Sequence, residues 1–131
     1  MNNDTGHRKP RILVVDDEAP LTRMIKLTLE ADGRFEVITE NFATDALASA
    51  RACSPDLILL DVMMPDKDGG EVAAELHANR DTAHIPVIFL TAAVQEGEVR
   101  ARGGRIGGLP FVAKPVGKAE LIEAIEKHLP G

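Results

Sequence analysis

Five residues of this chain carry side chains suited to one kind of chemistry. Asp16 and Asp17 follow directly on the apolar run Ile12-Leu13-Val14-Val15, and Asp61 follows Leu57-Ile58-Leu59-Leu60 in the same way. Thr91 follows Ile88-Phe89-Leu90, and Lys114 follows Phe111-Val112-Ala113. If the first and third runs are neighbouring buried strands, three carboxylates converge at one end of a sheet. Like charges held so close raise the pKa of at least one carboxylate, and a divalent cation relieves the conflict. Mg²⁺ takes a few hard oxygen ligands and keeps waters, which suits a shallow acidic pocket; Mn²⁺ is the alternative. The twelve-residue loop of alternating acids that would point to calcium is absent. A hydroxyl and an ammonium beside such a metal make an oxyanion binder. Phosphoryl transfer needs mainly positioning and charge neutralisation around three equatorial oxygens, and a carboxylate such as Asp61 is a competent nucleophile for it. Each residue alone has an ordinary reading: Asp16, Asp17 or Thr91 as a helix N-cap, Lys114 as an exposed lysine. The order strand-Asp-Asp, strand-Asp, strand-Thr, strand-Lys-Pro is what makes the set specific.

The elements that must position these residues alternate along the chain. Apolar, β-branched runs predict strands over Arg11 to Val15, Glu36 to Thr39, Leu57 to Leu60, Pro86 to Leu90 and Phe111 to Ala113. Helical spacing places Leu21, Met24, Ile25, Thr28 and Leu29 on one face, then Ala43, Ala46, Leu47 and Ala50, and later Leu121, Ile122, Ile125 and Leu129. Gly70 to Asn79 reads as a helix through Val72, Ala73 and Leu76. The stretch from Val94 to Arg105 is the weakest helix, because Gly97, Gly103 and Gly104 interrupt it, with Gly107 or Gly108 as its C-cap. Strand and helix alternating five times argue for a parallel sheet covered on both faces, with right-handed crossovers. Pro110 favours an edge or the first residue of the last strand.

The 131 residues, 44% hydrophobic and 27% charged, fit one globular domain with a sizeable core. The net charge of -6 argues against nucleic acid as a partner, and Arg100, Arg102 and Arg105 read as a solvated helix face. Cys53 is the single cysteine, so no disulfide forms within the chain; its apolar surroundings make it buried filler. The histidines at 7, 77, 84 and 128 are scattered and read as surface residues. Met1 to Lys9 is polar and carries no secretory h-region, and no apolar run reaches membrane-spanning length. A soluble, cytoplasmic protein is expected, with no membrane partner.

On these residues the sequence closely resembles the receiver domain of two-component response regulators, from about Pro10 to Leu129. Ile12 to Glu18 is similar to the family's first strand and acidic pair, and Pro55 to Gly69 to its phosphoacceptor strand and following loop, including Pro65 and Gly69. Leu90-Thr91-Ala92 and Lys114-Pro115 match the remaining signatures in order. The resemblance implies a flavodoxin-like α/β fold: five parallel strands in the order 2-1-3-4-5, with helices on both faces. It implies that Asp61 accepts phosphate from a phosphohistidine of a histidine kinase or histidine phosphotransfer protein. Asp16, Asp17, Asp61 and the Met63 backbone carbonyl would hold Mg²⁺. Lys114, Thr91 and Ala92 would meet the phosphoryl group, Phe111 would be the aromatic switch residue, and Pro115, Pro65 and Gly69 would be structural. The Lys-Pro bond is often cis in the family. Met63 and Ala93 would flank the path of attacking water. The switching surface would be the fourth helix, the fifth strand and the fifth helix.

Three departures bear on output. Leu109-Pro110 stands where the family often has acidic residues, the switch residue is Phe rather than Tyr, and the expected fourth helix is basic and glycine-rich. The expected organisation is a flexible segment over 1–9 and a stand-alone receiver over 10–131, working through protein binding to an output partner that the sequence does not name. It would be a phosphoacceptor that assists its own phosphorylation and dephosphorylation, not an enzyme. Two rival readings remain: a small Mg²⁺-dependent phosphatase with an aspartyl nucleophile, and an interaction module independent of phosphorylation. The first lacks a second acid at the spacing such enzymes use and a cap domain; the second leaves the acidic pair, Asp61, Thr91 and Lys114 without a purpose.

Overall fold

The computed structural model describes residues 9–92, 105–106, 109–114 and 117–130. Its elements are β1 (Arg11–Val15), α1 (Ala19–Ala31), β2 (Glu36–Glu40), a 3₁₀ turn (Ala43–Asp45), α2 (Ala46–Cys53), β3 (Leu57–Asp61), α3 (Gly69–Ala78), β4 (Val87–Thr91), β5 (Arg105–Ile106), β6 (Leu109–Ala113) and α4 (Lys118–His128). The sheet order is β2-β1-β3-β4-β6-β5. The first five of these strands are mutually parallel, so the expected 2-1-3-4-5 order holds when β6 is counted as the fifth parallel strand.

β1, β3 and β4 read as continuous apolar runs because both of their faces are covered. Leu13, Val15, Ile58, Leu60, Val87 and Phe89 pack with Ala46 and Ala50 of α2 and Val72, Ala73 and Leu76 of α3. Ile12, Val14, Leu57, Leu59, Ile88 and Leu90 point the other way, against Ile25 and Leu29 of α1 and Leu121, Ile122 and Ile125 of α4. Two cores thus share one sheet, and the period of two in strand side chains divides them.

The last part of the sheet differs from the sequence expectation. Residues 94–104 of the expected helix lie outside the described residues, and Arg105 belongs to a strand. β5 pairs antiparallel with β6, Ile106 opposite Leu109 and Arg105 opposite Pro110. Pro110 is the second residue of β6, which has neighbours on both sides. It is tolerated because the ladder to β4 begins only at Phe111, opposite Phe89, so β4 asks no donor of it.

The buried stripe of α1 keeps Ile25, Leu29 and, partly, Leu21 as expected, but takes in Thr22 in place of Met24. Thr22, Ile25 and Leu29 are buried, while Met24 is exposed. The Thr22 hydroxyl donates to the Ala19 carbonyl at 3.1 Å and accepts from Asn41 at 3.0 Å, so its polarity is satisfied inside. Cys53 is half-buried, and desolvation pushes its thiol pKa up, in keeping with an inert filler. His77 and His84 are exposed and His128 is half-buried against the Ala124 carbonyl.

Gly69 opens α3 directly against the end of β3. Its N–H donates to the Val62 carbonyl at 2.8 Å, and a Cβ there would lie 2.3 Å from the Asp61 carbonyl oxygen and 2.8 Å from the Val62 Cα. Both are backbone atoms and cannot yield cheaply. Gly33 is the contrasting case, with φ +89° and open space around its missing Cβ. Gly69→Ala is therefore expected to cost about 1–3 kcal/mol through overpacking against β3, and Gly33→Ala about 1 kcal/mol through backbone conformation alone. Urea unfolding of the two variants checks the order; a smaller loss at Gly69 than at Gly33 would contradict the contact.

Candidate functional site

The acidic pocket is built at the carboxyl end of β1 and β3. These strands are neighbours, with Val15 in register with Leu60, so the residues that follow them meet. Asp16 is fully buried and Asp61 only 4% exposed, while Asp17 is exposed. One carboxylate oxygen from each of Asp16, Asp17 and Asp61 lies within 4.8 Å of the others. Neither Asp16 nor Asp17 is the N-cap of α1: Glu18 holds that position, and the Asp16 Oδ1 accepts the Glu18 N–H at 3.0 Å.

Lys114 enters from the end of β6. Its backbone N–H donates to the Thr91 carbonyl at 2.8 Å, which ties it to the end of β4. Its long side chain then spans the ends of β4 and β3. The ammonium lies 2.8 Å from the Asp16 Oδ2, 3.4 Å from the Asp61 Oδ1 and 3.3 Å from the Glu18 Oε1. It sits nearer to Asp16 than to Asp61. Thr91 is buried at the end of β4, Ala92 is exposed just beyond it, and Phe111 is buried opposite Phe89. Met63 is 68% exposed beside the pocket, Pro65 is exposed on the loop that follows, and Pro115 and Ala93 lie outside the described residues.

Burial pushes the Asp61 carboxyl up from 3.8 to about 6; the Asp16 charge adds to the rise, and Lys114 and the Met63 N–H oppose it. Burial alone would lower the Lys114 pKa, but Asp16 first and then Asp61 and Glu18 outweigh it, so the ammonium stays charged. One cation thus faces several acids. The Asp16 Oδ2 is buried, and the Lys114 ammonium at 2.8 Å is the contact that meets its charge. Three carboxylate oxygens within 4.8 Å of one another, with a single ammonium among them, are the hard donors that a small divalent cation requires. The residues present therefore fit a small divalent ion.

Two residues shape the pocket without having been singled out. The Asn41 amide donates to the Asp16 carbonyl at 2.8 Å and to Thr22, fixing the end of β1 against α1. Nothing in the sequence marks it, since an asparagine after a strand is an ordinary turn residue. Glu18 stands next to the acidic pair in the sequence, but its reach to Lys114 spans 96 residues and depends on the fold.

A doubly wound parallel sheet with an acidic, lysine-bearing pocket at the carboxyl ends of its strands defines a class of α/β proteins whose site lies at a topological switch point. The sequence matches the response regulator receiver domain over residues 12–126, and the chain belongs to that family. It is 43% identical over 125 residues to the probable transcriptional regulator ycf27 of Porphyra purpurea, covering 94% of this chain and 49% of that protein. It is 39% identical over 116 residues to the phosphate regulon transcriptional regulatory protein PhoB of Escherichia coli, covering 88% and 50%. The chain spans about half the length of these relatives. Among solved structures, the Vibrio cholerae chemotaxis protein CheY4 superposes with a TM-score of 0.79 at 26% identity, covering 93% of this chain and all of that one. Among the described residues, no helix is long and apolar enough to cross a membrane.

The raised pKa of Asp61 has a sign. The native state binds this proton more tightly than the unfolded chain, so the stability linked to it is complete below about pH 4 and is lost as pH rises through about 6. In metal-free buffer near pH 8, Asp61→Asn should be more stable than the parent by about 1–3 kcal/mol, and the gap should close toward pH 4. Urea titrations across this range, with and without Mg²⁺, measure it. Mg²⁺ should narrow the gap by stabilising the parent. A variant less stable than the parent at pH 8 would contradict the buried charge conflict.

Proposed function

We propose that the protein is a phosphoryl-accepting signalling switch in a two-component phosphorelay. Asp61 takes the phosphoryl group from a phosphohistidine of a histidine kinase or a histidine phosphotransfer protein. The observation that carries this reading is the Lys114 ammonium lodged between Asp16 and Asp61, beside three carboxylates close enough to share one cation.

In this reading Asp16, Asp17, Asp61 and the Met63 backbone carbonyl hold Mg²⁺, with Mn²⁺ as a substitute. The ion supplies charge neutralisation for the phosphoryl oxygens. An Asp61 carboxylate oxygen forms a bond to phosphorus as the phosphorus–nitrogen bond to imidazole breaks. The electron pair goes to the imidazole nitrogen, which takes a proton, and an acyl phosphate remains on Asp61. Lys114, the Thr91 hydroxyl and the backbone at Ala92 meet the equatorial oxygens, so that charge is stabilised where it develops. Phe111 is the switch residue, and Pro65, Gly69 and Pro115 shape the loops around the pocket. The domain assists its own phosphorylation and dephosphorylation without turning over a separate substrate. Its direct partners are the phosphodonor protein and an output protein in the cytoplasm; contacts with nucleic acid or membrane form no part of this reading.

Incubation with acetyl phosphate and Mg²⁺ should add one phosphoryl group, detected as a single mass increment. Asp61→Asn should abolish it, because an amide is a poor nucleophile. Excess chelator should suppress labelling of the parent; labelling undiminished by either change would exclude the mechanism. The lifetime of the phosphoryl group provides a second measurement. The Met63 thioether is only a weak acceptor and Ala93, which the resemblance sets on the other side of the water path, has no polar side-chain group, so neither orients a water well. Hydrolysis should be several-fold faster in Met63→Asn with Ala93→Glu than in the parent. Equal or slower decay would count against the argument.

A further inference from the structure

The Glu18 side chain has no part in the roles assigned above. Glu18 occupies the N-cap position of α1, yet its carboxylate makes no capping bond. It reaches instead to Lys114, with Oε1 3.3 Å from the ammonium. An ammonium has three N–H donors, and three carboxylates surround this one. Asp16 and Asp61 hold the buried side. The Glu18 side chain is 61% exposed where that of Lys114 is 13% exposed, so Glu18 covers the solvent side. A formal negative charge therefore stands at the mouth of the pocket, on the cation that an incoming phosphoryl group must reach.

We propose that Glu18 is a specificity-determining residue whose carboxylate disfavours free dianionic phosphodonors relative to donors of lower charge. The proposal rests on Asp61 being the acceptor. A dianionic donor must bring two negative charges past Glu18 and compete with it for the same ammonium. Acetyl phosphate is such a donor near neutral pH. Phosphoramidate carries one net negative charge there, because its nitrogen is protonated, and meets less repulsion. The two reactions end in the same acyl phosphate. With acetyl phosphate the phosphorus–oxygen bond breaks and acetate leaves with the electron pair. With phosphoramidate the phosphorus–nitrogen bond breaks and ammonia leaves with the protons it already holds. Because Glu18 is exposed, its field is partly screened, so the effect is modest and sensitive to salt.

The test compares initial rates of Asp61 labelling by acetyl phosphate and by phosphoramidate, each with Mg²⁺, in the parent, Glu18→Gln and Glu18→Asp. In Glu18→Gln the ratio of the acetyl phosphate rate to the phosphoramidate rate should rise roughly 3- to 10-fold at low ionic strength, the effect of one unit charge several ångströms from a dianion in a half-solvated site. The rise should shrink as salt approaches about 1 M, where the Debye length falls to about 3 Å. Glu18→Asp keeps the charge and should keep the parental ratio. A readout without phosphorylation is proton exchange of the Lys114 ammonium with water, followed by NMR in the metal-free protein; it should be several-fold faster in Glu18→Gln. An unchanged donor ratio in Glu18→Gln, an equal rise in Glu18→Asp, or unchanged ammonium exchange would each overturn the proposal. Failure of both donors to label the parent would overturn the acceptor reading of Asp61 itself.

Discussion

The constraint on which this structure turns is electrostatic: two buried carboxylates, Asp16 and Asp61, share one ammonium. Burial and mutual repulsion both favour protonating Asp61, and Lys114 only partly offsets them. A pair of hydrophobic residues would be more comfortable there, since buried charges seldom repay their desolvation. The surrounding fold holds the conflict in place. Adjacent β1 and β3 bring the acids together, Gly69 lets α3 begin against the Asp61 backbone, and Asn41 pins the Asp16 carbonyl to the end of β2 and the first turn of α1. A site strained in this way binds further positive charge at little reorganisation, because the protein has already met the cost of assembling the carboxylates.

Much of this was legible in the sequence, for a physical reason. Central strands buried on both faces must be apolar at every position, so β1, β3 and β4 stand out as short runs with a polar residue at or just beyond each end. The polar residues at those ends mark the pocket because a parallel sheet puts all its carboxyl ends on one side. What was not legible depends on which atoms meet. Met24 has the hydropathy of a core residue and Thr22 does not, yet Thr22 is inside because Ala19 and Asn41 satisfy its hydroxyl. The reach of Glu18 to Lys114 and the preference of Lys114 for Asp16 are long-range side-chain geometry, which spacing along the chain does not encode.

The strand at the sheet edge is a different case. Gly107 and Gly108, the expected helix C-cap, lie outside the described residues, and glycine does serve as a cap. The same dipeptide between Arg105-Ile106 and Leu109-Pro110 is also a two-residue hairpin signal, and the pairing of Ile106 with Leu109 leaves just these two residues to join β5 to β6. A glycine is evidence for a turn, not for which turn. The discriminating cue is what flanks it: Ile106 stands in register with Leu109 across β5 and β6, whereas the three upstream glycines make a long helix costly.

This edge bears on how a change at Asp61 would leave the domain. On the proposed function, events at the pocket reach β4 and β6 first, because Thr91 and Lys114 end those strands and share a backbone hydrogen bond. Phe111 lies two residues before Ala113, in register with Phe89, and packs in the core beneath α2 and α3. A close-packed ring moves between discrete positions rather than by small degrees. On the proposed function, having no hydroxyl, it would signal by the space it occupies. The strands differ in how firmly they are held. β1 and β3 each have parallel ladders on both sides and a core on both faces, so displacing either disturbs the whole sheet. Among the described residues β6 has one such ladder, and on its other side the two residues of β5, one of them opposite a proline. Of the strands whose carboxyl ends carry the pocket residues, β6 is therefore the least costly to displace, and that is where a local change of charge at the pocket reaches the surface on this reading.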